Sequence, residues 1–227
     1  LSVTLGVVFL FYHLVLRKLT FYNWNRWYLL GYTMMSFFIP FVNISNVNEK
    51  YEWGSSEAVT WVPAIGQAVL PVNSVAQNGI SFTVWQWVML LTLSGMFILL
   101  IRLLLQFISY RRLLKKATPV SSGEINFYEV KENIIPFSFG DSIFINRALH
   151  TETELQEIIR HEIVHVRQKH SRDIIWGEVL CIVNWFNPFA WLIRKAIQQN
   201  LEFIADKNVL DNKYNKKEYQ YLLLKVI

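Results

Sequence analysis

One cysteine in 227 residues, Cys181, excludes an internal disulfide and any cysteine-rich zinc site. Histidine is scarce too, with five residues, and acids are outnumbered, 17 Asp and Glu against 22 Lys and Arg. The net charge of +5 is modest, and the bases cluster beside apolar blocks. That pattern points to membrane topology and away from nucleic acid. No secretory signal with a small-residue cleavage site is visible. The chain opens on Leu1 and closes on "YLLLKVI", which reads as a segment of a longer protein with a fourth span to follow.

What the sequence has in excess is apolar residues, 53% of the chain with nine Trp and sixteen Phe. They gather in blocks. Residues 1–16, 27–44 and 84–108 are almost free of charge, and a helix needs about 20 apolar residues to cross the hydrocarbon core. Arg102 sits near one end of the third block, where its side chain can snorkel to the headgroups. Three membrane spans are expected. Arg17, Lys18 and Arg26 lie between the first two, and Arg111, Arg112, Lys115 and Lys116 follow the third. The loop at 43–83 instead carries Glu49, Glu52 and Glu57 with a single base, Lys50. Because Lys and Arg favour the cytoplasmic side, the 43–83 loop is expected outside and residues 109–227 in the cytoplasm.

The cytoplasmic part begins with strand-like sequence. "EINFYEV" and "FSFGDSIFIN" are rich in aromatic and β-branched residues, with Pro136 and Gly140 as punctuation. A helix over about 152–169 follows, opened by Thr151 with Glu154 three residues later and striped by Leu155, Ile158, Ile159 and Val166. Within it, His161-Glu162-Ile163-Val164-His165 spells H-E-x-x-H. Four residues apart, the two imidazoles project from one face and can reach one ion. Neutral imidazoles hold Zn²⁺ without cancelling its charge, and Glu162 is placed to take a proton from a water that the ion activates.

Catalytic zinc takes three protein ligands. His170 lies half a turn out of phase on a continued helix, and Gln168 and Ser171 stand where a metzincin has its Gly and third His. His170 is therefore expected at the surface or in a cap. Glu178 would lie about 20 Å along the same axis, too far to ligate. The better third ligand is Glu202 in "QQNLEFIADKNVL". Asp206, four residues on, is placed to hydrogen-bond the far nitrogen of a ligand histidine. Between the motifs, residues 173–197 are apolar and broken at Asn187-Pro188. Two helical pieces that bend back would carry Glu202 toward His161 and His165, as core or as a re-entrant membrane hairpin.

The ordered set H-E-x-x-H, F-N-P-F-x-W (Phe186 to Trp191) and E-x-x-x-D (Glu202 to Asp206) resembles the bacterial antirepressor membrane metallopeptidases of the BlaR/MecR type. The resemblance covers nearly the whole chain. It implies a mainly α membrane protein in which transmembrane helices join a small α+β, gluzincin-like zinc metallopeptidase domain. It implies His161, His165 and Glu202 as Zn²⁺ ligands, Glu162 as catalytic base and Asp206 as support for a ligand histidine. It also implies an inner-membrane protein that meets the lipid bilayer and cuts a cytoplasmic protein, such as a transcriptional repressor, on an extracellular signal. A homo-oligomer is compatible with it. No S-x-x-K acylation motif occurs, so β-lactam sensing is not expected of this segment. Two other readings share the ligands: a housekeeping protease of the HtpX or CAAX prenyl protease type, and a non-catalytic transducer with structural zinc. The F-N-P-F-x-W segment argues against the first, and the intact Glu162 against the second.

Overall fold

A computed structural model describes residues 1–39, 83–121 and 123–211. The expected outer loop and the last residues of the second expected span lie outside the described residues. Among the described residues, six α-helices and four short strands follow in chain order: α1 (Ser2–Leu14), α2 (Tyr22–Phe38), α3 (Val84–Lys116), β1 (Thr118–Ser121), β2 (Asn126–Glu129), β3 (Phe137–Phe139), β4 (Ser142–Ile145), α4 (Glu152–Arg167), α5 (His170–Val183) and α6 (Pro188–Asp211).

α3 is the one helix, among the described residues, long and apolar enough to cross a bilayer. No residue on it is buried, and Trp85, Ile98 and Leu105 all stand open. α1 and α2 behave differently. Leu5, Tyr12 and Leu29 enter one apolar core with Leu180 of α5 and Ile193, Ile197 and Leu201 of α6. The apolar repeat of α6 recurs every three to four residues, with Ala190, Ala196 and Ala205 small enough for close approach. α6 is consequently the central helix, against which α1, α2, α4 and α5 all pack.

The sheet has the order β1-β2-β4-β3. β1 and β2 are antiparallel, β2 and β4 parallel, and β3 and β4 antiparallel. Both stretches expected as strands are strands, and β1 is an addition to them. Gly140, at φ +62°, takes the first position of the two-residue β3–β4 turn. A side chain at positive φ is strained, so glycine suits that place. Ile143 and Ile145 of β4 pack under Leu155 and Val166 of α4, which turns the opposite side of α4 toward α6.

α4 starts where its capping box demands. The Thr151 side chain accepts from the Glu154 backbone N–H, and the Thr151 N–H donates to the Glu154 carboxylate at 2.9 Å. It ends earlier than its pattern suggests, at Arg167. Lys169 adopts the left-handed conformation (φ 56°, ψ 39°), and a new helix begins at His170. The break at Asn187-Pro188 is present as expected. α6 begins at Pro188, and Asn187 Oδ1 accepts from the Phe189 N–H at 3.0 Å. The α5–α6 turn reaches α3, where Trp185 Nε1 donates to the Thr92 carbonyl at 3.1 Å. Its indole covers Gly95, where a Cβ would run into the Trp185 ring, so the ring lies on bare backbone.

Candidate metal centre

α4 and α6 cross with His161 and His165 on one and Glu202 and Asp206 on the other. The two histidines point Nε2 at each other, 3.1 Å apart. Glu202 Oε2 closes the triangle at 3.3 Å from His161 Nε2 and 3.8 Å from His165 Nε2. All three ligand atoms lie within 4.8 Å of one another. Tetrahedral zinc with metal–nitrogen bonds of about 2.0–2.1 Å requires donors about 3.3 Å apart, so the residues fit the ion. The histidine side chains are only 14% and 12% exposed, whereas that of Glu202 is 58% exposed and leaves the site open on one side.

The charges agree with a cation site. Burial opposes a charge on His161, but Asp206 and Glu202 prevail and raise its pKa to about 9. Burial keeps His165 below the usual range against the pull of Glu202. Burial also opposes ionisation of Glu202, yet the hydrogen bond and charge of His161 draw it below its ordinary value. A proton on His161 thus occupies the place that a metal cation would take between two facing nitrogens.

Each histidine has a different partner behind it. Asp206 Oδ1 stands 3.2 Å from His161 Nδ1. Behind His165 is His170, with the two Nδ1 atoms 2.9 Å apart. The expectation of a surface or capping His170 is corrected here: the residue is fully buried. The phase argument assumed a continuous helix, and the left-handed Lys169 turns the chain so that the first residue of α5 faces back into α4. Burial, with His165 and Arg26 nearby, lowers its pKa to about 3. Glu178 stands apart from the cluster, paired with Arg194 at 2.6 Å.

Glu162 faces the sheet. Ser138, at the centre of β3, donates its hydroxyl to Glu162 Oε2 at 2.5 Å. Burial raises the Glu162 pKa against that hydrogen bond. Ser138 was not anticipated, although a lone hydroxyl between Phe137 and Phe139 marks the opposite face of a strand. His170 had a signal as well, since three of five histidines fall within ten residues.

The model of the BlaR1 peptidase M56 family matches residues 1–227. The chain belongs to this family. A curated relative, the regulatory protein BlaR1 of Staphylococcus aureus, is 27% identical over 107 residues, which are 47% of this chain. The match spans 17% of that relative's length. Beside this family membership stands α3, the one helix among the described residues long and apolar enough to cross a bilayer. The His/Glu cluster is one that can hold a metal ion.

Proposed function

We propose that the chain is the catalytic segment of a membrane-embedded zinc endopeptidase that cuts a cytoplasmic protein, a transcriptional repressor being the expected substrate, in response to an extracellular signal. The observation that carries the reading is the convergence of His161, His165 and Glu202 with Glu162 one residue from the first ligand. The chemistry that zinc supplies when bound is Lewis acidity toward a carbonyl and a water able to lose its proton near neutral pH. With an ion held by His161, His165 and Glu202, Glu162 would serve as the base toward the attacking water and as the acid toward the leaving amine. Its raised pKa brings the carboxyl closer to working pH, and Ser138 holds it in one orientation. Asp206 keeps the proton of His161 on Nδ1, which leaves Nε2 free to ligate.

β3 supports the peptide-binding part of this reading. It lies at the end of the sheet order, paired with β4 on one side, and packs beside α4. An extended substrate adding to its other edge would run past Glu162. α3 supports the membrane part. Its 33 residues extend about 50 Å, enough to cross about 30 Å of hydrocarbon and carry Arg111 to Lys116 beyond it. α1 and α2 are read as further spans, joined by a cytoplasmic turn that holds Arg17 and Lys18, with Arg26 in the first turns of α2. On this topology the metal centre faces the cytoplasm.

The test is Glu162→Gln in the intact membrane protein. Stoichiometric zinc with cleavage reduced by a factor of a thousand or more, about 4 kcal/mol of barrier, is expected. Full cleavage by the variant would rule out Glu162 as the base and overturn this mechanism.

A further inference from the structure

The back of His165 opens onto a chain of hydrogen bonds that leaves the metal centre altogether. His165 Nδ1 meets His170 Nδ1 at 2.9 Å. His170 Nε2 meets Gln168 Oε1 at 3.2 Å. That same oxygen accepts from Arg26 Nη1 at 3.3 Å, while Arg26 Nη2 donates to the Gln168 backbone carbonyl at 2.8 Å. Arg26 is itself fixed by Asp173, its Nε donating to Oδ2 at 2.6 Å. Two elements that flank the centre, the end of α4 and the start of α5, are thereby gripped by one guanidinium from α2.

The donors run in one direction only. A guanidinium cannot accept, so Gln168 must present its carbonyl oxygen to Arg26. His170 must then donate from Nε2 to the same oxygen, which leaves its Nδ1 as an acceptor. His165 must donate from Nδ1, and its Nε2 carries the lone pair. Nε2 is the atom that faces His161 and Glu202. The guanidinium thus dictates, two side chains away, which nitrogen of His165 is available to an ion. The same guanidinium caps the last turn of α4, where carbonyl oxygens concentrate negative charge.

We propose that His170, Gln168 and Arg26 are positioning residues for the metal ligand His165, and that α2 holds the metal centre in its binding tautomer through them. This inference rests on the reading of His161, His165 and Glu202 as zinc ligands. It gives α2 a mechanical role: withdrawal of Arg26 frees the Gln168 amide to turn, and His165 loses its enforced tautomer. Other ties attach the same helix to the elements around the site. Asn200 of α6 donates to the Tyr22 carbonyl at 2.9 Å, and Trp176 of α5 donates to Thr33 at 3.0 Å.

The experiment measures zinc affinity of the full-length protein in detergent by chelator competition, together with the visible spectrum of its Co²⁺ form. His170→Phe keeps a ring in the buried space but offers no acceptor. It should weaken zinc binding by roughly 10- to 100-fold and alter the cobalt bands. His170→Asn, whose side-chain oxygen can sit near the place of Nδ1, should recover most of the affinity. Arg26→Lys keeps a charge for Asp173 but loses the fork on Gln168, and should weaken zinc binding several-fold. Wild-type affinity and spectrum in His170→Phe would overturn the proposal, as would an Asn variant as weak as the Phe variant, or Arg26→Lys without effect. Should His170→Phe fail to fold, Gln168→Leu removes the shared acceptor alone, and unchanged zinc binding there overturns the proposal equally. Wild-type protein that takes up no stoichiometric zinc defeats the proposed function as well; zinc-loaded wild type with indifferent variants defeats only the positioning chain.

Discussion

The two histidines of the motif sit one turn apart on the same helix, and their surroundings are opposite in kind. Behind His161 stands a carboxylate, Asp206, supplied by the long central helix α6. Behind His165 stands a neutral imidazole, His170, supplied by the residue after a helix break and held by an amide and a guanidinium. The first arrangement places negative charge at the centre and raises His161 to about pKa 9. The second adds none, and His165 stays below its ordinary range. One histidine is supported by charge and the other by hydrogen-bond direction, so their failures should differ in size and in pH dependence.

The largest expected effect removes what both histidines share. Glu202→Ala should abolish stoichiometric zinc at micromolar metal, measured by elemental analysis after gel filtration, because two imidazoles alone leave the ion short of a ligand and of negative charge. Retention of a full equivalent would mean that another group ligates. Asp206→Asn comes next and should cost roughly 10- to 100-fold in zinc affinity. It should also lower the His161 pKa, since an amide accepts a hydrogen bond but brings no charge.

The pH dependence separates the two sides further. Metal-free His161 is protonated below about pH 9, and that proton must leave when a metal binds. Zinc affinity should accordingly rise about tenfold per pH unit up to pH 9 and then flatten. Calorimetry in buffers of different ionisation enthalpy should register about one proton released near pH 7.5. In Asp206→Asn the flattening should move to lower pH. An unchanged profile in that variant would remove Asp206 as the source of the raised pKa. The smallest effect concerns the bend that delivers His170. Lys169→Gly relieves a side chain in left-handed backbone and should raise stability by up to about 1 kcal/mol in detergent, with zinc affinity untouched.

How much of this could be read in advance follows from the range of each interaction. The start of α4, the break before Pro188 and the short strands punctuated by Pro136 and Gly140 are local events, decided by a few neighbouring residues, and all three are legible. The spacing of His161, His165, Glu202 and Asp206 was legible because helical periodicity makes residues four apart share a face. The place of His170 is hidden from the sequence because it depends on one left-handed residue, Lys169, where no glycine or asparagine announces the turn. Ser138 and Arg26 were not anticipated, since they act 24 and 142 residues away from their partners.

The apolar blocks show the same division. Hydropathy treats residues 1–16, 27–44 and 84–108 alike, yet α3 buries none of its residues while α1 and α2 each bury one face against α6. Mean hydropathy sums over a helix and has no direction, whereas packing is decided by which face meets which neighbour.

By itself the sequence determined the chemistry: which residue types can ligate, which can act as base, where helices begin and how their faces are spaced. The tertiary structure alone decided the assembly: that Glu202 crosses over His161 and His165, that Ser138 reaches Glu162, and that α2 grips the back of His165. Local sequence controls backbone torsions and side-chain identity, but a metal centre needs atoms from distant segments within a few ångströms. The core that α1, α2, α5 and α6 share, with α4 held between α6 and the sheet, fixes those distances.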